Sequence, residues 1–378
     1  MRMSRYIYIM SLSTMVATGC KKPYNPIIAD TNSNYLVVEG VIAPGQDSTF
    51  FRLSRTVNVS TKQSFKPELF AQIAVVSDAN TSYPLQEMGN GVYASAPLNL
   101  DNTHKYRISI QTVDNRTYLS ALVEVKTTPE IDSVGYIIRG NGVQIYVNAH
   151  DNKAKTRFYR WDFNETWRFH SQFPSNYKLV DGDPVYRPSS EQVYECWGND
   201  TSQNVVLAST TKLTSDVVTQ QPITFISSTA EKLETRYSIL LKQYALTEAG
   251  YTYYANLKKN TEQLGSIFDA QPSSIKGNIT CSSNPVEQVL GFVSASTVTK
   301  KRIFIDNRDL PAWQAYTYYD QMDCRRDTVR LKDVFTIHSA YTGTPPPYLP
   351  LSEPYFAAPI ECVDCTLRGT NKQPVFWK

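Results

Sequence analysis

Arg157-Phe158-Tyr159-Arg160-Trp161-Asp162-Phe163-Asn164-Glu165-Thr166-Trp167-Arg168-Phe169-His170-Ser171-Gln172-Phe173 is the most regular stretch of the chain. Its odd positions are aromatic from Tyr159 to Phe169, apart from Glu165, and its even positions from Arg160 to His170 are polar. Side chains of a strand alternate between two faces, so a period of two over this length predicts a long strand with one aromatic and one polar face. The aromatic stripe is expected to fill the core of a sandwich. The polar face, Arg160, Asp162, Asn164, Arg168 and His170, is a candidate contact surface, to be weighed against plain solvation.

The rest of the chain agrees with a β protein. It holds 25 Tyr and 15 Phe with only 16 Gly among 378 residues, and aromatic side chains suit a pleated, half-buried surface. That length is two or three domains on the usual scale. Strand-like runs at 35–42, 49–55, 71–77, 105–112 and 118–125 are separated by Gly, Asn, Asp and Pro, and Thr127-Thr128-Pro129-Glu130 reads as a linker. Beyond it come further runs at 134–138, 143–149, 204–208, 223–226 and 236–245, then 287–296 and 301–306 as a hairpin. Thr247 is placed to cap a helix near 247–263, with Tyr251, Tyr254, Leu257 and Leu264 at helical spacing and Gly265 as its stop. The expected fold is mainly β: an immunoglobulin- or fibronectin-like sandwich over 35–128, then a larger β-rich domain over 129–378 with one packed helix.

The first residues carry an address. Arg2 and Arg5 precede an apolar run at 6–16, too short to span a bilayer but suited to a secretory signal. Ala17-Thr18-Gly19-Cys20 resembles a bacterial lipobox, so residues 1–19 read as a lipoprotein signal peptide, Cys20 as the lipid attachment site and 20–34 as a tether. The chain carries 38 Lys and Arg against 35 Asp and Glu, a formal +3 that removal of Arg2 and Arg5 lowers further. With no basic block, nucleic acid is not an expected partner.

Five cysteines remain beyond Cys20. Cys362-Val363-Asp364-Cys365 has CxxC spacing, but it stands in a tail bearing Pro and Gly rather than at a helix start. Structural pairing is expected, Cys324 bridging either Cys362 or Cys365, and an odd count leaves one thiol over. The four histidines are scattered, so neither a metal site nor a cofactor is expected. No Gly-x-Ser-x-Gly elbow, His-Glu-x-x-His pair or phosphate-binding glycine loop occurs. Asp132, Glu165 and Glu248 are carboxylates that only three-dimensional proximity could turn into a catalytic set.

A series of stretches resembles a family of Bacteroidota lipoproteins known only as a domain of unknown function, number 4249. They are Tyr35-Leu36-Val37-Val38-Glu39-Gly40, Phe51-Arg52-Leu53-Ser54-Arg55-Thr56, Arg236-Tyr237-Ser238-Ile239 with Gln243-Tyr244, and Leu257-Lys258-Lys259-Asn260-Thr261-Glu262. Gly265-Ser266-Ile267-Phe268-Asp269, Gln271-Pro272-Ser273, Gly277-Asn278-Ile279, Lys301-Arg302-Ile303-Phe304-Ile305, and the Cys362 and Cys365 pair with the closing Pro374-Val375-Phe376-Trp377 complete it. The resemblance implies a β-rich outer-membrane lipoprotein, commonly encoded beside a TonB-dependent transporter, with no catalytic residues to carry over. The expected role is therefore a lipid-anchored accessory of such a transporter in nutrient uptake, at the cell surface rather than the periplasmic leaflet. A free-standing glycan- or peptide-binding adhesin and a hydrolase are the alternatives.

Overall fold

The computed structural model describes residues 34–57, 65–181, 183–262, 275–329, 341–344 and 355–377. Cys20, the signal peptide, the tether up to residue 33 and the segment around Gly265 to Ser273 lie outside them.

Alternation builds the first body. Lys105–Gln111 buries Tyr106, Ile108 and Ile110, and Gln72–Ser77 buries Ile73, Val75 and Ser77. The apolar ones among them meet Leu36, Val38, Phe51, Leu53, Tyr93 and Tyr118 in one core, each large side chain contributing about 1.5–3 kcal/mol by leaving water. The strands run in the order Ile279–Cys281, Thr117–Ser120, Lys105–Gln111, Gln72–Ser77, Ser82–Gly89, Val92–Ala94, Phe50–Arg55, Leu36–Val41 and Val289–Leu290. Val123–Lys126 pairs with both Lys105–Gln111 and Ala295–Ser296, and Ala295 bridges Ile42, so the sandwich closes on itself.

The second body is a five-stranded sheet covered by a three-stranded one. Phe158–His170 lies between Arg236–Ala245 on one side and Glu195–Thr201 with Val206–Ser209 on the other, and Val298–Asp306 forms the outer edge beyond Arg236–Ala245. Ile131–Arg139, Gly142–His150 and Val217–Ser227 form the covering sheet. Tyr159, Trp161 and Phe163 fill the space between them with Ile145, Val147, Ile239 and Leu241, as the aromatic stripe predicts. Glu165 interrupts the stripe without being exposed: its carboxylate accepts from Tyr237 Oη (2.8 Å) and Lys232 Nζ (2.6 Å). The helix Glu248–Glu262 starts where its cap predicts, Thr247 Oγ1 accepting from Gly250 N, and it lays Tyr251 against Phe158 with ring centroids 4.9 Å apart.

Two expectations need correction. The runs expected as a hairpin do not pair with each other: Val289–Leu290 and Ala295–Ser296 join the first body in parallel, and only Val298–Asp306 joins the second. The span 129–378 therefore contains three strands of the first sheet. The closing stretch, read from its Pro and Gly only as a tail, also holds regular structure. Asp327–Val329, Tyr355–Pro359 and Tyr341–Thr344 form a small sheet, and Trp377 stands edge-on to Trp197 and Phe304.

The chain passes from the first body to the second at two adjacent places. Thr128 N donates to Thr297 Oγ1 (2.8 Å), Thr297 N donates to Lys126 O (3.0 Å), and Gln243 Nε2 and Thr299 Oγ1 both donate to Pro129 O.

Candidate functional site

A cleft of about 990 Å³ opens where the two bodies and the helix meet. Its first wall is the outer face of the first sheet: Val37, Glu39 and Val41 from Leu36–Val41, then Phe50 and Arg52 from Phe50–Arg55. The register places Glu39 opposite Arg52 and Val41 opposite Phe50, which is why these side chains share a face. Tyr253, Tyr254 and Leu257 of the helix form the second wall. Leu290, Gly291 and Phe292 close one side. Gly291 has φ +139°, and a Cβ there would stand 2.2 Å from Val38 O, so glycine alone lets this segment lie against the strand.

The third wall is the polar face of the second sheet, in two rows. Arg160 stands opposite Tyr244, which stands opposite Val298; Asp162 stands opposite Lys242, which stands opposite Lys300. Arg160 is 8% exposed. Its guanidinium lies 4.6 Å from the ring centroids of both Tyr244 and Tyr254, and its Nη2 donates to Asp162 Oδ2 at 2.9 Å. Burial by itself opposes the Arg160 charge, but the Tyr254 hydroxyl, Asp162 and Tyr244 outweigh it and hold the guanidinium charged. Burial pushes the phenols of Tyr244 and Tyr254 up, and that of Tyr253 up to about 12. All three therefore present neutral hydroxyls at ordinary pH.

The lysine pair is electrostatically uncomfortable. Like charges directly opposite one another in a sheet cost up to about 1 kcal/mol. Lys300 is relieved by an ion pair with Asp47. Lys242 has no ion-pair partner among the described residues, since its neighbour Asp162 already receives Arg160. Burial, reinforced by Lys300, draws the Lys242 ammonium below its ordinary value, with Asp162 pulling the other way.

The five expected contact residues do not form one surface. Arg160 and Asp162 line the cleft. Asn164 shares their face in a row with Leu240 and Arg302 but lies outside the lining. Arg168 and His170, roughly 26 and 33 Å along the strand from Arg160, both approach Glu195, at 3.6 and 3.5 Å, and His170 packs on Tyr194. Between the two ends the C-terminal residues cover the face, Phe376 lying 3.5 Å from the Arg302 guanidinium and Trp377 beside Arg236.

The cysteines hold that cover down. Cys324 bridges Cys362, one of its two expected partners; Cys365 bridges Cys196, a pairing not foreseen; Cys281 is the buried free thiol. The CxxC residues thus serve two separate bridges. Asp132 pairs with His150 at 2.8 Å, Glu165 is buried as described, and Glu248 sits in the first turn of the helix, so none of the three lines the cleft. No group of three His, Cys, Asp or Glu is placed to hold a metal among the described residues.

Lys242, Lys300, Glu39 and Tyr253 escape sequence reading. The parity of Arg236–Ala245, whose outward residues run Ser238, Leu240, Lys242, Tyr244, is the signal that marks Lys242 and Tyr244 as neighbours on one face. Residues 21–302 match the family model described as a domain of unknown function, DUF4249. No curated protein matches the chain.

Proposed function

Since this chain belongs to the DUF4249 family, we propose that it is a lipid-anchored binding protein of the outer membrane, an accessory that presents a ligand to a TonB-dependent transporter and performs no chemistry of its own. The observation that carries the binding role is the cleft: strand, helix and sheet from distant parts of the chain converge on one concave site rich in tyrosine and charge. Concave sites with a few converging polar groups at a junction of two bodies are where small ligands bind. The address is supported by the lipobox ending at Cys20 and the signal-like run before it. Several acyl chains make anchoring effectively permanent, and a tethered partner needs only a modest interface because its effective concentration is high.

The test is purification of the tagged chain from detergent-solubilised outer membranes. A stoichiometric β-barrel partner is expected, and acyl-labelling with mass analysis of the mature terminus should place lipid on Cys20. Recovery without a barrel, combined with binding on a glycan array, would replace this reading with that of a free-standing adhesin.

A further inference from the structure

We propose that the cleft selects ligands carrying an oxyanion, a carboxylate or a phosphate group, which is received between Lys242 and Lys300 while the body of the ligand lies along the tyrosine wall. The inference rests on the reading of the cleft as a ligand site and narrows it to a chemical class.

The backbone register is the starting point. It sets Lys242 directly opposite Lys300 on the face that lines the cleft, an arrangement that works against folding unless something negative lies between or beside the two ammonium groups. The protein supplies that charge on the flanks only. Asp47 serves Lys300, and Asp162 serves Arg160. Glu39, the remaining carboxylate of the lining, belongs to the opposite wall, across from Arg52 in its own sheet. The lining thus holds Arg52, Arg160, Lys242 and Lys300 against Glu39, Asp47 and Asp162. Lys242 has no ion-pair partner among the described residues, and its ammonium is drawn down first by burial and then by Lys300, with Asp162 and Asp47 only partly offsetting them. A ligand oxyanion supplies a counter-charge there, and charge-assisted hydrogen bonds are about twice as strong as neutral ones.

The surrounding groups limit what else the ligand carries. Tyr253 and Tyr244 add neutral hydroxyls, and Val37, Val41, Phe50 and Leu257 add apolar surface. Arg160 is already held between two rings and Asp162, so it shapes the wall while the lysines meet the ligand.

Titration calorimetry on the full lipoprotein in detergent tests this, with glucuronate and glucose 6-phosphate as charged probes and glucose as the neutral one. Binding of either charged probe, with glucose much weaker, is expected, and the better of the two identifies the oxyanion. Lys242→Met and Lys300→Met should each weaken it roughly tenfold, while the exposed Lys105→Met, outside the cleft, should leave it unchanged. A thermal melt no lower than wild type shows that Lys242→Met is folded. Glucose binding that is lost in Val41→Trp but unmoved in Lys242→Met keeps the cleft and overturns the oxyanion. Binding indifferent to Val41→Trp overturns both, and a flat titration with both charged probes overturns the oxyanion.

Discussion

The strand Phe158–His170 repeats one pattern along its whole length, yet its two ends have opposite fates. Near Arg160 the polar face looks across a cleft at another body; near Arg168 and His170 it pairs with Glu195 beside a tail pinned by two disulfides. Both ends bury aromatic residues on the inner face, so the inner face is not what separates them. The difference comes from what packs on the outer face: at one end a helix that touches Phe158 and Arg160 and leaves a cleft beyond them, and at the other C-terminal residues that lie along the face. Alternation decides which side of a sheet is wet only until another part of the chain arrives.

The disulfide-pinned end should show the largest response. Replacing Cys196 and Cys365 by serine frees a loop whose ends are 169 residues apart, worth about 5 kcal/mol in the chain-entropy estimate. The melting temperature should fall steeply, and the change in Trp fluorescence should precede any loss of ligand binding. If binding is lost first, the two ends are coupled and the contrast fails.

At the open end, Arg160→Leu leaves Asp162 and two buried phenols without their cation. A loss of about 3 kcal/mol is expected in urea unfolding, from two desolvated ring contacts and one half-exposed ion pair. Arg160→Lys should recover little of it, because an ammonium cannot stack between Tyr244 and Tyr254 as a planar guanidinium does.

A smaller effect lies at alkaline pH. The Tyr253 phenol is pushed up to about 12, mainly by burial, whereas in the unfolded chain it titrates near 10. Between those values the unfolded chain gives up its proton while the folded one keeps it. The stability held there is complete below about pH 10 and is lost as the pH climbs toward 12, by about 2 kcal/mol. Tyr253→Phe should flatten that part of the stability curve, read by tyrosinate absorbance during denaturation.

The smallest change runs the other way. Lys242→Met relieves both the opposing Lys300 and the burial of a charge, and should raise stability by up to about 1 kcal/mol in urea unfolding. A loss instead would mean that Lys242 holds a contact inside the cleft in the absence of ligand.

Much of the fold could be read from single strands. Arg236–Ala245 has the limits expected of it, and the aromatic stripe lies in the core. Strands with weak patterns were harder. Ser82–Gly89 carries Pro84, with Gly89 at a bulge, and Val289–Leu290 and Ala295–Ser296 are too short to display any period. The site was legible only in part. Period two places Arg160 and Asp162 on one face, but the pairing of Lys242 with Lys300 is a matter of register between distant strands, and the approach of Tyr253 and Glu39 is a matter of packing. The bridge from Cys365 to Cys196 is hidden for the same reason, since separation along the chain says little about separation in space.

The double passage of the chain near Thr128 and Thr297 has a mechanical meaning. A protein whose halves share a single connector can swing like a pair of jaws, but here two parallel connectors, laced to each other and to the end of Arg236–Ala245, resist rotation about either one. One proteolytic nick in either connector would still leave the halves covalently joined. The halves are then expected to keep one spacing from the moment of folding, so that the opening between them is ready-made.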